Sequence, residues 1–128
     1  MPEQSSFDYA VIRIVPRVER EEFINAGVIV FCLQRNFLQA RVQLDEARLR
    51  SLSPELDLDL LRQHLHAIPK VCSGDRDAGP IARLPPRERF HWLVAPRSTV
   101  IQVSAVHSGL CESPDSALDE LFSQLVLT

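Results

Sequence analysis

The chain has 128 residues, 45% of them apolar and 24% charged, with nine prolines and four glycines, a composition that accommodates one domain over residues 1–128 and excludes two. A formal charge of −3 at pH 7 argues against a chain whose main work is coating nucleic acid or an anionic membrane. A domain of this size buries roughly two-thirds of the surface its unfolded form exposes, so a core can form without metal or disulfide staples.

The first six residues are polar and lack the basic and apolar regions of a secretory signal. The longest near-continuous apolar run, Ala26 to Leu33, is eight residues and too short to span a bilayer. Cys32, Cys72 and Cys111 are odd in number and have no C-x-x-C spacing, as expected of reduced thiols. These features predict a cytoplasmic protein with no membrane association.

Phe7 to Val15 alternates Tyr9, Val11, Arg13 and Val15 with Ala10, Ile12 and Ile14, which predicts a buried strand carrying one arginine. Pro16 has no N–H for a ladder, so the strand stops there, and a polar segment from Arg17 to Glu22 follows. Residues Gly27 to Leu33 are apolar on both alternating faces and predict a central strand covered on both sides. Phe37 to Leu44 then alternates, with Leu38, Ala40, Val42 and Leu44 inward. A three-residue turn with Asn36 in the left-handed region joins the two as a hairpin.

Asp45 caps a short helix through about Leu52, and Ser53-Pro54-Glu55 carries the signals for starting another. Leu58, Leu61, Leu65 and Ile68 form its inner stripe, and Pro69 is expected to end it near Ala67. Residues 73–80 read as a surface loop. Phe90, Leu93 and Val94 suggest a short helix after Pro86, and Thr99 to Ser104 suggests a strand. Residues 105–113 read as a loop or distorted edge. Ser113-Pro114-Asp115 starts a final helix with Leu118, Leu121, Phe122, Leu125 and Val126 on one face. Hairpin-linked strands followed by helices predict an α+β class, an antiparallel sheet with helices packed mainly on one face.

Two stretches concentrate polar chemistry. In the first, Arg13 lies among apolar neighbours and needs a carboxylate or several carbonyls if buried. Glu22 is the expected partner, beyond a Pro16 break that turns the chain back, and the pair would fix the crossover between strands. Asn25 either caps the turn or faces a ligand together with the glutamates, and Gly27 allows close backbone approach. The second stretch, residues 83–98, holds four arginines, Glu88, His91 and the chain's one tryptophan. Arg89, His91, Trp92, Arg97 and Ser98 form its candidate surface, because Arg and Trp are enriched in binding hot spots. A single Trp is also an ordinary core residue.

Thirteen arginines against Lys70 alone suit bidentate anion recognition, and also fit a GC-rich genome. Residues 111–128 carry four carboxylates and no base, so charge is polarised, yet nucleic acid is not the expected ligand. Nucleophile-elbow, phosphate-loop and zinc-helix templates are absent, and His64 and His66 are wrongly spaced for a zinc pair. Cys72, Cys111, His91 and His107 have no ligand spacing, so no metal and no cofactor is expected.

Tyr9, Arg13, Pro16, Glu22, Asn25 and Gly27-Val28, followed by Arg89-Phe90-His91-Trp92-Leu93, Pro96-Arg97-Ser98 and the Gly109 region, resemble a bacterial domain-of-unknown-function family, number three thousand and thirty-seven. The likeness covers nearly the full length. It implies no established activity; family members are often encoded beside a HipA-like kinase homologue, which implies a partner or toxin–antitoxin role by association. The expected function is a cytoplasmic binding or regulatory module whose two arginine-bearing stretches meet a protein partner. The alternative is a small enzyme or nucleotide- or phosphate-binding protein that uses Arg13, Glu22, Asn25 and His91 in one pocket. The sequence does not set an oligomeric state.

Overall fold

The computed structural model describes residues 3–97 and 99–127. Strands β1 (Ser5–Ile14), β2 (Ile24–Cys32) and β3 (Phe37–Val42) form an antiparallel meander. The outer side of β1 is paired by two short strands in succession, β4 (Ile101–Val103) and β5 (His107–Cys111), which gives the order β3-β2-β1-β4 with β5 also on β1. Where β4 and β5 part, the buried Ser104 keeps the ladder intact: its Oγ accepts the Val11 N–H at 2.9 Å, and its own N–H donates to the Val11 carbonyl at 2.8 Å. The segment from 105 to 113 is therefore a distorted edge that recovers into a strand.

β2 starts three residues earlier than its apolar run, and an irregularity explains why the run misleads. Ile12 is opposite Gly27 and Arg13 is opposite Asn25, so Ala26 is an extra residue, a β-bulge. The bulge puts Ile24 and Ala26 in the same core as Ile29 and Phe31, while Val28, Val30 and Cys32 face the other way. Asn36 adopts φ 49° in the β2–β3 turn, the left-handed conformation its short polar side chain tolerates.

Helices α1 (Glu46–Leu52), α2 (Leu58–Ser73) and α3 (Pro86–Leu93) supply Leu49, Leu61, Leu65, Phe90 and Leu93 to the core on one face of the sheet. Helix α4 (Pro114–Leu125) covers the opposite face, with Leu118 packed against Phe7, Val28, Val30 and Cys32. The class is α+β, with α1, α2 and α3 on one face of the sheet and α4 on the other.

Two helix boundaries differ from expectation. Asp45 caps α1 as predicted, accepting the Arg48 N–H, but Ser53 closes that helix by donating its N–H to Leu49. The start of α2 passes to Asp57, whose Oδ1 accepts the Leu60 N–H at 3.1 Å. Pro69 lies inside α2 and does not end it near Ala67. Proline removes one backbone donor, yet the extra turn buries Val71 and Cys72 and is closed by Gly74 at φ 75°, which offsets that loss. Short 3-10 turns at Arg76–Ala78 and Pro80–Arg83 lead into α3.

Candidate functional site

Arg13 and Asn25 are directly opposite each other on β1 and β2. Asn25 turns towards α4, its Nδ2 donating to the Leu125 carbonyl at 3.0 Å, so this polar pair belongs to the α4 face of the sheet. The expected Arg13–Glu22 pair does not form. Glu22 accepts from Arg20 at 2.7 Å in an exposed ion pair, and the Arg13 guanidinium lies 4.3 Å from the centre of the Phe23 ring. A half-buried arginine can meet its need for a partner on an aromatic face, which residue spacing does not reveal. The Arg13 Nε and Asn25 Oδ1 are buried without hydrogen-bond partners among the described residues.

The second stretch resolves into helix closures. Arg89 donates from one guanidinium nitrogen to the carbonyls of Val71 and Cys72, at 3.3 and 3.1 Å, and so caps the C-terminus of α2. Arg97 donates to the Leu93 and Trp92 carbonyls at 3.1 and 2.7 Å, closing α3, and stacks 4.5 Å from the Trp92 ring centre. Two of the four arginines in this stretch are thereby held against carbonyl oxygens. His91 is exposed, with its ring beside Phe90. Ser98 lies outside the described residues.

The same closures build a concave site. Between α2, the end of α3 and the β1–β4 side of the sheet lies a cavity of about 660 Å³. Its floor is Ile12 and Ile29, its helical wall carries Leu60, Leu61, His64, Ala67, Ile68 and Val71, and its far wall is Trp92, Arg97 and residues 99–103. The lining is overwhelmingly apolar with a few polar groups at fixed positions, as in small-molecule and peptide sites. Leu60 and Trp92 remain 48% and 44% exposed at its edge.

The cavity exists because the layers do not match. Helices α2 and α3 pack over β3, whereas Ile101 and Val103 on β4 are only partly buried. Of the predicted site residues, Trp92 and Arg97 line this cavity, while Arg13, Glu22, Asn25, Arg89 and His91 do not. Asn25 instead borders a smaller cavity of about 210 Å³ with Gln43, Asp45, Arg48, Val126 and Leu127. Sequence reasoning missed Leu60, His64 and Ala67, although apolar positions on α2 are spread wider than one stripe against a sheet requires.

Cys72, beneath the Arg89 cap, has its thiol pushed up from 9.0 to about 12 by burial, with the Arg89 charge opposing the rise. It is a neutral core side chain at physiological pH. Among the described residues, no group of three or more His, Cys, Asp or Glu side chains is arranged to hold a metal ion. No described helix is long and apolar enough to cross a membrane.

No curated protein and no solved structure matches the chain. The family model described as "Protein of unknown function (DUF3037)" matches residues 9–126, a span that runs from within β1 to just past the end of α4. The chain belongs to the DUF3037 family.

Proposed function

We propose that this protein is a binding and regulatory module that works through the groove between α2, the end of α3 and β4. The observation that carries the reading is the apolar cavity of about 660 Å³ that lies over the buried core residues Ile12 and Ile29 and keeps Leu60 and Trp92 exposed at its edge. The apolar surface that Leu60 and Trp92 leave open to water favours an occupant, because each 100 Å² covered is worth roughly 2.5 kcal/mol before the costs of association. Leu60 and Trp92 at the mouth make the regulatory half of the reading. An occupant there changes the surface a protein partner meets, and a HipA-like kinase homologue is the partner implied by the family resemblance. Cytoplasmic location belongs to this reading as well.

The enzyme alternative draws on Arg13, Glu22, Asn25 and His91 in a single pocket. Glu22 is occupied by Arg20, Asn25 by α4, and His91 is not part of the groove, so binding is favoured over catalysis.

Trp92 is the chain's one tryptophan and sits on the rim, so its fluorescence reports occupancy. Nile red, an uncharged apolar dye, should bind saturably at one site and quench Trp92. Ala67→Phe, which narrows the groove from the helical wall, should weaken binding at least about tenfold without lowering the melting temperature by more than a few degrees. Equal binding by the variant, or no binding by the wild type, would refute the reading. Co-expression with the kinase-like neighbour followed by pull-down tests the regulatory half, and a complex insensitive to Leu60→Asp would place the contact elsewhere.

A further inference from the structure

The geometry points to a ligand class for this groove: an amphipathic organic anion, with an apolar chain or ring in the cavity and one carboxylate on Arg97. The inference rests on the groove being the binding surface and adds what it selects.

Charge carries the argument. Among the described residues lining the cavity, Arg97 is the one Arg or Lys and Asp57 the one acid. Asp57 is committed to the start of α2, where its Oδ1 takes the Leu60 N–H and its charge faces the positive end of the helix. Arg97 has no carboxylate partner among the described residues. Its two hydrogen bonds go to the carbonyls that end α3, so like Asp57 it sits at the helix end that suits its charge, but its guanidinium keeps N–H donors to spare. The groove therefore presents one preorganised guanidinium, with spare donors and no carboxylate partner among the described residues, beside an apolar cavity.

Preorganisation matters because an arginine normally loses much side-chain freedom on binding a ligand. Here the two carbonyls and the Trp92 face have already fixed it. A guanidinium has five N–H donors, so hydrogen-bonding capacity remains for a carboxylate beyond the two carbonyls. The volume of about 660 Å³ lies well within the range of small-molecule sites.

Calorimetric titration with decanoate, decan-1-ol and decylamine separates the terms, since the three share one apolar chain and differ in the head group. Wild-type protein should bind decanoate at least about tenfold more tightly than decanol, with decylamine weakest, and decanoate should perturb Trp92 fluorescence. Arg97→Gln should bind decanoate and decanol equally. Arg97→Lys keeps the charge without the planar fork and should retain part of the preference; it also serves if Arg97→Gln fails to fold. Equal affinities for decanoate and decanol in the wild type, or a preference unchanged in Arg97→Gln, would overturn the inference. If Nile red binds and none of the three displaces it, the ligand class is wrong and the groove reading stands. If a co-purified polypeptide partner alone displaces the dye, the groove is a protein-docking site and this inference falls.

Discussion

Gly27→Ala should destabilise the protein by about 3 kcal/mol, the upper end of what overpacking one methyl costs. A Cβ built at Gly27 lies 2.6 Å from the Arg41 carbonyl oxygen and 2.9 Å from side-chain atoms of both Ile12 and Val42. The nearest of these is backbone in the neighbouring strand, so relief requires the sheet itself to shift. Gly109 provides the contrast: a Cβ there would meet the Phe7 ring at 3.0 Å, and a side chain next to an edge strand can yield. Gly109→Ala should cost about 1 kcal/mol. Urea denaturation of both variants checks the ranking, and a Gly27→Ala loss no larger than that of Gly109→Ala would contradict the close approach at the bulge.

The second large effect concerns α4. Leu118 is 0% exposed and packs between the β2 side chains and Phe7, so Leu118→Ala should cost about 3 kcal/mol from lost transfer energy and the cavity left behind. The other ties of α4 are weaker. The Asn25 bond to the Leu125 carbonyl is worth about 1 kcal/mol. The Arg41–Asp119 pair, with both side chains roughly half exposed, contributes less than about 1 kcal/mol. Thermal melts of Leu118→Ala, Asn25→Ala and Asp119→Asn should fall in that order. If Asp119→Asn were the most damaging, α4 would be held electrostatically and the packing account would be wrong.

Local chemistry made much of this fold legible. Asp45 and Ser113 cap the helices they precede, Asn36 takes the left-handed turn position, and Gly27 sits where backbones crowd. The misreadings arose where two local signals competed or where a partner came from far along the chain. Ser53-Pro54 reads as the start of α2, but the Ser53 N–H closes α1, and the structure starts α2 at Asp57. Pro69 reads as a stop, but the cap for the turn beyond it comes partly from Arg89, 17 residues after Cys72. Arg13 was expected to seek a charge and found the Phe23 ring.

The candidate site was half legible. Trp92 and Arg97 stood out by residue type, and both border the groove. Arginine enrichment between residues 83 and 97 suggested a recognition surface, yet Arg89 and Arg97 are engaged by helix-terminal carbonyls. The groove itself arises from the placement of α2 and α3 over β3 and away from β4, a tertiary property that no periodicity encodes.

We place binding in the groove and not on the polar surface at Arg13 and Asn25. The most direct measurement is a two-dimensional amide NMR titration with Nile red. Shifts should concentrate in residues 56–71 of the α2 region and in residues 92–97 and 99–103, with Arg13, Glu22 and Asn25 unmoved. Shifts centred on Arg13, Asn25 and the end of α4, with the groove amides unchanged, would contradict it.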